Sequence, residues 1–573
     1  MKILFNHVGY GPEDHKLILV ESGAATVWQR VELMDLADDA VVETLTPVFA
    51  EAVDGWSLGP WWQIDLTHVR RPGRYRIGWA ASTAAGQSDV LTIHPTTVDR
   101  SLASDIVFYL KGQRCTGIYD EADRTAGRFG DDTVHDVHGG WYDASGDTSK
   151  YLTHLASAAG MNPQQTPLVV WTLARAWHLG RAAGAAPYWL ERLRDEAAHG
   201  ADWLVRMQDD AGFWHTTLFD QWSKDPARRM LGSYRTQQGE RYPLHQAGWR
   251  QGGAMAIAAL AACAGLGRGG EFSCADYARA ASQGFEHLVE HGHGYVSHGP
   301  DDDPGENIID DACAALAAIE LGSVWSSTVV DEVLTPHIER LLGRVHRSDN
   351  MTWLVADGNA ERSWFHASDA GLPIVVLNRF AEIHATHPLA EPASLAAAEL
   401  VTAQLDLGDA LVNPFGYPPH HVRRPGHEPR SMWFYPHDNP SGYWWQGENG
   451  RLASLAAAAL GVASGVAVDD RADGAARAAQ RWIDWILGAN PFDVCMMGGR
   501  GRNNPHYADP YDNAPGGIAN GITSGVEDEA DIAFQPEPYA SDMLHSWRWG
   551  EQWIPHAAWL LYALALRGSG GRS

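Results

Sequence analysis

The sequence predicts a mainly α protein in two domains, a small β-sandwich over residues 1–96 and a helical toroid over 97–573. Three observations carry this. A chain of 573 residues is longer than one hydrophobic core usually fills. Its first part consists of short apolar runs separated by Asp-, Pro- and Gly-bearing turns, the pattern of strands. From about residue 100 the apolar runs become long and alanine-rich, and strand-like runs are scarce.

The strands come first. KLILVE, ATVWQRVELMDL, AVVETLTPVFA, WWQIDLTHV, GRYRIGWA and DVLTIHP occur at short intervals. In RRPGRYRIGWA a turn feeds an alternating strand, with Tyr75 and Ile77 on one face and Arg74 and Arg76 on the other. No catalytic cluster stands out here, so packing or positioning is the expected role. The helices come next: TPLVVWTLARAWHLG, LRDEAAHGADWLVRMQ, GGAMAIAALAACAGLG, DDACAALAAIELG, PASLAAAELVTAQLDLG, NGRLASLAAAALGVASG, ARAAQRWIDWILG and PHAAWLLYALALRG. Several close on glycine, the usual residue after a helix end. Trp482, Trp485 and Ile486 recur at helical spacing on one face. No exact repeat is visible. Segments 211–247, 405–450 and 488–549 are long and rich in Pro, Gly, Trp and His, so they are expected to wall a cleft.

Composition narrows the function. A formal charge of -28 opposes binding to nucleic acid or an anionic membrane and tolerates a cationic substrate. The 25 tryptophans serve packing or line a groove that stacks on flat rings. Five cysteines without a CxxC pair fit a reducing compartment, with Cys263 and Cys313 in apolar runs. MKILFNHVGYG has no basic start leading into an apolar stretch, and no run of 18 uncharged apolar residues occurs later. The expected location is the cytoplasm. The oligomeric state is not legible.

The chemistry concentrates in the loops. In GGWYDASGDTSKYL, Asp143 and Asp147 stand four apart among glycines, in a loop expected to lead into a helix near Thr148. Either aspartate suits a helix cap. Together, beside Trp141, Tyr142 and Tyr151, they also suit a pair that holds a water and takes its proton. Far along the chain, Glu551 lies between Trp549 and Trp553 at the start of the last helix. Aromatic neighbours that exclude water would raise its pKa, as a general acid requires, whereas a first-turn glutamate would merely favour the helix dipole. His135, Asp136, His138 and Asp143 form a run able to take a cation, with a structural calcium as the alternative to none. HExxH, CxxC and calcium-loop spacings are missing. Asp301–Asp303, Asp310, Asp311 and Asp512 read as solvated or capping groups. No metal or cofactor is expected.

WYDASGD-x-x-KY, the opening NHVGY-x-P-x-x-K, LGANPF and the late glutamate together resemble glycoside hydrolase family 9, from residue 5 to about 566. The resemblance implies an immunoglobulin-like β-sandwich before an (α/α)6 barrel, and inverting hydrolysis of β-1,4 links, usually in cellulose. It implies Asp147 as base with Asp143 beside it, Glu551 as acid, a turn at Asn490 and Pro491, and sugar contacts from His506 with Arg500 or Arg502 nearby. The chain departs from the family in two places. Three residues separate the aspartates where the family usually has two, and the histidine-arginine segment is reduced to NNPHY. The added residue resembles a subgroup of exo-β-glucosaminidases acting on chitosan oligosaccharides and their disaccharide. An exo-glucosidase or endoglucanase on cellodextrins is the close rival. A non-catalytic carbohydrate-binding protein and a polysaccharide lyase are more remote. On the glucosaminidase reading a further carboxylate must meet the 2-amino group. Glu448 in YWWQGENG is expected there, with Trp444, Trp445, Trp141 and Trp549 against the sugar.

Overall fold

The computed structural model describes residues 1–573 except 83, 155–160, 236–238, 244, 293–306, 349–350, 360, 425, 440–444, 466–469, 508–511 and 571–573. Nine strands open the chain: β1 (Lys2–Leu4), β2 (Leu17–Glu21), β3 (Trp28–Asp35), β4 (Val41–Thr44), β5 (Val48–Phe49), β6 (Trp61–Asp65), β7 (Gly73–Ala81), β8 (Ala85–Gln87) and β9 (Leu91–Ile93). One antiparallel sheet has the order β1-β2-β6-β5, and the other β4-β3-β7-β8 with β9 also on β7. Alternation explains why they face each other. Tyr75 and Ile77 on β7 are buried with Ile18, Val31, Leu33 and Ile64, while Arg74 is exposed. Each such aliphatic side chain contributes about 1.5–3 kcal/mol by leaving water.

The sandwich is fastened to the helical region. Leu4, Leu19, Trp56 and Trp61 belong to the core of the helices rather than to that of the sandwich. Asn6 donates from Nδ2 to Asp484 Oδ1 (2.7 Å), and the His7 amide donates to the Leu487 carbonyl (2.9 Å).

Twelve helices of eleven or more residues are found among the described residues. They are α1 (Asp99–Gly112), α2 (Thr166–Ala182), α3 (Pro187–Arg206), α4 (Ala254–Ala264), α5 (Cys274–His291), α6 (Ile308–Gly322), α7 (Thr328–Gly343), α8 (Leu372–Ile383), α9 (Ala390–Asp409), α10 (Asn449–Gly465), α11 (Asp470–Ile486) and α12 (Ile554–Gly570). The even-numbered helices pack side by side in the order α2, α4, α6, α8, α10, α12 and back to α2, a closed inner ring. Each odd-numbered helix packs outside one of them, with α1 against α12. This is an (α/α)6 barrel. Composition dictates the layering. α6 is buried at every position from Ile308 to Leu321, and its alanines let neighbours approach on all sides. α3 instead buries Leu193, Ala197, Ala201 and Leu204, one stripe at helical spacing. α6 starts on a capping box in which Asn307 and Asp310 satisfy each other's amides. No helix among the described residues is long and apolar enough to cross a membrane. The five cysteines are free, and Cys263 and Cys313 are buried.

A five-stranded sheet of short strands is inserted between helices. It comprises β10 (Ala126–Arg128), β11 (Val134–His135), β12 (Lys150–Tyr151), β13 (Thr217–Phe219) and β14 (Met230–Leu231), in the order β11-β10-β14-β13-β12. Here the structure corrects the sequence reading. The aspartate loop leads not into a helix near Thr148 but into β12, which pairs with β13 through Lys150–Leu218 and Tyr151–Thr217. A partner strand far along the chain decides the conformation, and the next helix among the described residues begins at Thr166.

Candidate active site

The two ends of the helical region meet at the aspartate loop. The Ile554 amide donates to the Asp143 carbonyl (3.1 Å), and the Ser145 amide to the Gln552 carbonyl (2.9 Å). The Gln552 amide returns a bond to Ser145 Oγ (3.1 Å). On the other side, the Asn520 amide donates to the Glu551 carbonyl (2.8 Å), and the Asn449 amide to the Asn520 carbonyl (3.1 Å). The segments before α2, α10 and α12 therefore form one rim. Gly447 allows the close approach, since a Cβ there would lie 2.3 Å from the Asn520 carbonyl carbon. Gly146, at φ +72°, makes the turn between the aspartates, a conformation that costs other residues energy.

Asp147 is half-buried. Its Oδ1 accepts from the amides of Thr148 (2.6 Å) and Ser149 (2.9 Å), and the Tyr151 hydroxyl reaches Oδ2 at 3.4 Å. Burial pushes its carboxyl up to about 7, and the neighbouring charges of Asp220 and Asp143 push the same way. Asp143 is buried. Its Oδ2 lies 3.3 Å from His154 Nε2, and its Oδ1 meets no hydrogen-bond partner among the described residues. That oxygen and the loosely held Oδ2 of Asp147 are open acceptors on neighbouring carboxylates.

Glu551 comes after a short helix, Trp547–Gly550, which leaves it in extended backbone just before α12. Its Oε2 accepts from Trp553 Nε1. Burial holds the carboxyl well above the usual range. The Trp553 bond opposes this, and the charges of Asp143 and Asp147 add to it. The glutamate thus stands within electrostatic reach of both aspartates. The same aromatic ring ties the two sides together. Trp553 stacks on His154, with centroids 4.7 Å apart and planes within 8°, and His154 Nδ1 lies 3.0 Å from the Tyr234 hydroxyl.

Other expectations fall differently. Trp141 is fully buried and donates to Glu196 Oε1 (2.9 Å), so it packs against α3 and offers no face to a sugar. Trp549 is also fully buried. Arg500 pairs with Asp105 and donates to Ser101 Oγ (2.7 Å), both on α1, where it clamps a loop to an outer helix. Trp445 is buried under His437, stacked at 3.8 Å, with the Arg548 guanidinium 5.1 Å from its centre. Trp444 lies outside the described residues, as do Asp301–Asp303. His506 is exposed, and its carbonyl borders Gly550, next to Glu551. Asn490 is a buried turn residue that bonds the carbonyls of Trp485 and Val494.

Glu448 is buried and already satisfied. Oε2 accepts from the Tyr417 hydroxyl (2.5 Å) and from Arg451 (3.0 Å). Oε1 faces His420 Nε2 (2.8 Å) and accepts the Tyr435 amide. Burial would raise this carboxyl, but His420 and Arg451 outweigh it and hold it low. A carboxylate so enclosed has nothing left for an ammonium group, which corrects the expected pairing. The local cation run separates too. His138 turns to Asp136 (2.6 Å) and Asp143 to His154, while His135 goes elsewhere.

Three participants were missed. Asp220 is fully buried and accepts from Thr148 Oγ1 (2.5 Å) and Ser149 Oγ (2.8 Å), which presses its charge on Asp147. His154 and Tyr234 hold Asp143. The β12–β13 pairing brings Asp220 in, and Tyr234 arrives on a further strand, Ser233–Arg235, stacked on Phe219, so no local motif announces either. His154, seven residues after Asp147 and just past β12, was the legible one.

The sequence profile of glycosyl hydrolase family 9 matches residues 100–511, and that of the cellulase N-terminal ig-like domain matches residues 1–83. Asp143 and Asp147 lie inside the first match, and Glu551 lies beyond it. Among solved structures, a Bacteroides ovatus GH9 protein superposes with a TM-score of 0.68 at 16% identity, over 99% of this chain and 98% of that one. A metagenome-derived glycoside hydrolase family 9 endoglucanase gives 0.67 at 19% identity, over 98% of each chain. AaCel9A, solved with cellobiose-like isofagomine, gives 0.64 at 17% identity, over 99% of each. At such identities the likeness is one of fold. No curated protein matches the chain.

Proposed function

Because the chain belongs to glycosyl hydrolase family 9, we propose that it is an inverting exo-β-D-glucosaminidase, cleaving β-1,4 links of chitosan oligosaccharides and their disaccharide. On this reading residues 1–96 brace a catalytic domain of residues 97–573. A water sits between Asp143 Oδ1 and Asp147 Oδ2. Asp147 takes its proton as the oxygen bonds to the anomeric carbon, and Glu551 protonates the departing sugar oxygen. The water needs room, so base and acid belong about 6.5–9.5 Å apart.

The observation that carries the amine preference is the crowd of carboxyls. The charges of Asp143 and Asp220 add to the rise at Asp147, those of Asp143 and Asp147 add to the rise at Glu551, and an ammonium entering among them relieves that repulsion. Asp143, with its open Oδ1, takes the place first expected of Glu448. The second reading, an exo-glucosidase or endoglucanase on cellodextrins, draws support from Lys224. This cation already feels both Asp147 and Asp220, and a neutral sugar would then suffice. The five free cysteines fit a reducing, cytoplasmic setting.

The test is hydrolysis of the glucosamine disaccharide and cellobiose side by side. The amine should be favoured in kcat/KM by about tenfold or more, roughly 1.4 kcal/mol of discrimination. Faster cleavage of cellobiose would select the second reading. NMR of the first product should show the α-anomer from a β-substrate, and early β-anomer would exclude inversion.

A further inference from the structure

The titratable side chains at the edge of the small sheet include a group that the carboxyl chemistry does not use. His135 at the end of β11, and Asp209 and His215 from the turn that precedes β13, each offer one donor atom within 4.8 Å of the other two. We propose that these three residues bind one divalent transition-metal ion of the zinc class, as a structural centre in the sheet that carries the catalytic loop. This goes beyond the glycosidase reading and does not depend on it.

The second observation is the state of His215. It is fully buried, and neither ring nitrogen has a hydrogen-bond partner among the described residues. His135 Nε2 is buried and unpartnered as well. Leaving a buried polar atom unmet costs on the order of 1–3 kcal/mol. One such nitrogen from each imidazole, together with the Asp209 carboxylate, surrounds one point and calls for a common partner. They do not serve each other, since the His135 and His215 rings meet edge-on with centroids 4.6 Å apart. His215 Nε2 lies 3.9 Å from Asp209 Oδ2, beyond hydrogen-bond range. Donors around a tetrahedral zinc, each about 2.0–2.1 Å from it, stand about 3.3 Å apart, so a closure of at most about 1.5 Å between any two donors seats the ion.

The ligands are already aimed. Asp209 Oδ1 accepts the Ala211 amide (2.9 Å), the Asp209 amide donates to the Phe213 carbonyl (2.8 Å), and the His215 amide donates to the Met207 carbonyl (2.9 Å). These bonds fix a tight turn that leaves Oδ2 toward the histidines. The nearby Arg128 is paired with Asp131 at 2.6 Å, which blunts its repulsion of a cation. Two imidazoles and one carboxylate suit zinc better than calcium or magnesium, which take oxygen ligands. His245, 6.1 Å from His215 ring to ring and with Nδ1 unpartnered among the described residues, stands beside the fourth position. A seated ion joins β11 to the turn feeding β13, which in turn pairs with β12 and supports Asp147.

The test uses the full chain, stripped with a chelator and titrated with zinc sulfate and, separately, cobalt chloride. One equivalent of zinc should survive gel filtration and raise the thermal midpoint. Bound cobalt should show the visible bands of a nitrogen–oxygen site. His135→Ala and Asp209→Asn, both at half-buried positions, should each weaken zinc binding by about tenfold or more while keeping the far-UV circular dichroism of the parent. Absence of a stoichiometric ion overturns the proposal. So does zinc held equally well by both variants, or a sulfur-to-cobalt charge-transfer band, which would put the ion on a cysteine.

Discussion

Two glutamates precede neighbouring inner helices, Glu448 before α10 and Glu551 before α12, and a short bonded path through Asn449 and Asn520 links them. Both stand among aromatic side chains and both lose water. Their carboxyls move in opposite directions. Glu448 faces Arg451, His420, Tyr417 and a backbone amide, and is held low. Glu551 faces one indole N–H and two aspartates, and is held high. Loss of water raises both, completely buried Glu448 and partly buried Glu551 alike, so it does not make an acid catalyst by itself. What decides is whether the protein supplies compensating charge or withholds it. The first arrangement builds a wall, and the second favours a retained proton.

The comparison breaks most directly at Glu551. Glu551→Gln should lower kcat on natural glycosides by about 10³–10⁴-fold, yet spare a glycosyl fluoride, whose leaving group needs no proton. Equal loss on both substrates would return Glu551 to a structural role. Asp147→Asn should lower turnover of both substrates by about 10²–10³-fold, because water must be deprotonated in either case. Glu448→Gln should act on stability instead. It leaves Arg451 buried without its counter-charge, a cost of about 3–5 kcal/mol readable in a denaturant titration. Any loss of activity should be uniform across glucosamine and glucose substrates, and a loss confined to the amine series would reassign the residue. The smallest effect tests the sign of the Asp147 shift. Between the unfolded value of 3.8 and the folded value of about 7, the native state keeps a proton that the unfolded chain has released. Stability from this group therefore falls as pH rises through that window. Asp147→Asn should raise the thermal midpoint by about 1–3 °C at pH 8, and by less at pH 5.

The reasons some of this was legible are local. Strand alternation around Tyr75 and alanine-rich helical runs report their own burial. Two aspartates flanking Gly146, and a glutamate among tryptophans before a helix, carry their chemistry within a few residues. Illegible features depend on distant partners. Thr148 lay in a segment open to helix until β13 claimed it. Asp220 looked like any loop aspartate. Trp141 and Trp549 adjoin functional residues in sequence but face the core, and sequence around a turn does not say which side chains point inward. Glu448 had the right neighbours for a sugar contact, and only the folding back of Tyr417 and His420 shows it enclosed.

The bonds between residues 143–145 and 552–554 join positions at least 407 apart in the chain. Closing a loop of that length costs about 5 kcal/mol of chain entropy before any contact repays it. During synthesis the aspartates leave the ribosome long before Glu551 exists, and the inner ring lacks its last member until α12 arrives. On the proposed roles, an unfinished chain is a base without an acid. On the same roles, the final closure, one of the slowest kinds of contact to form, would start the chemistry and complete the fold in one event.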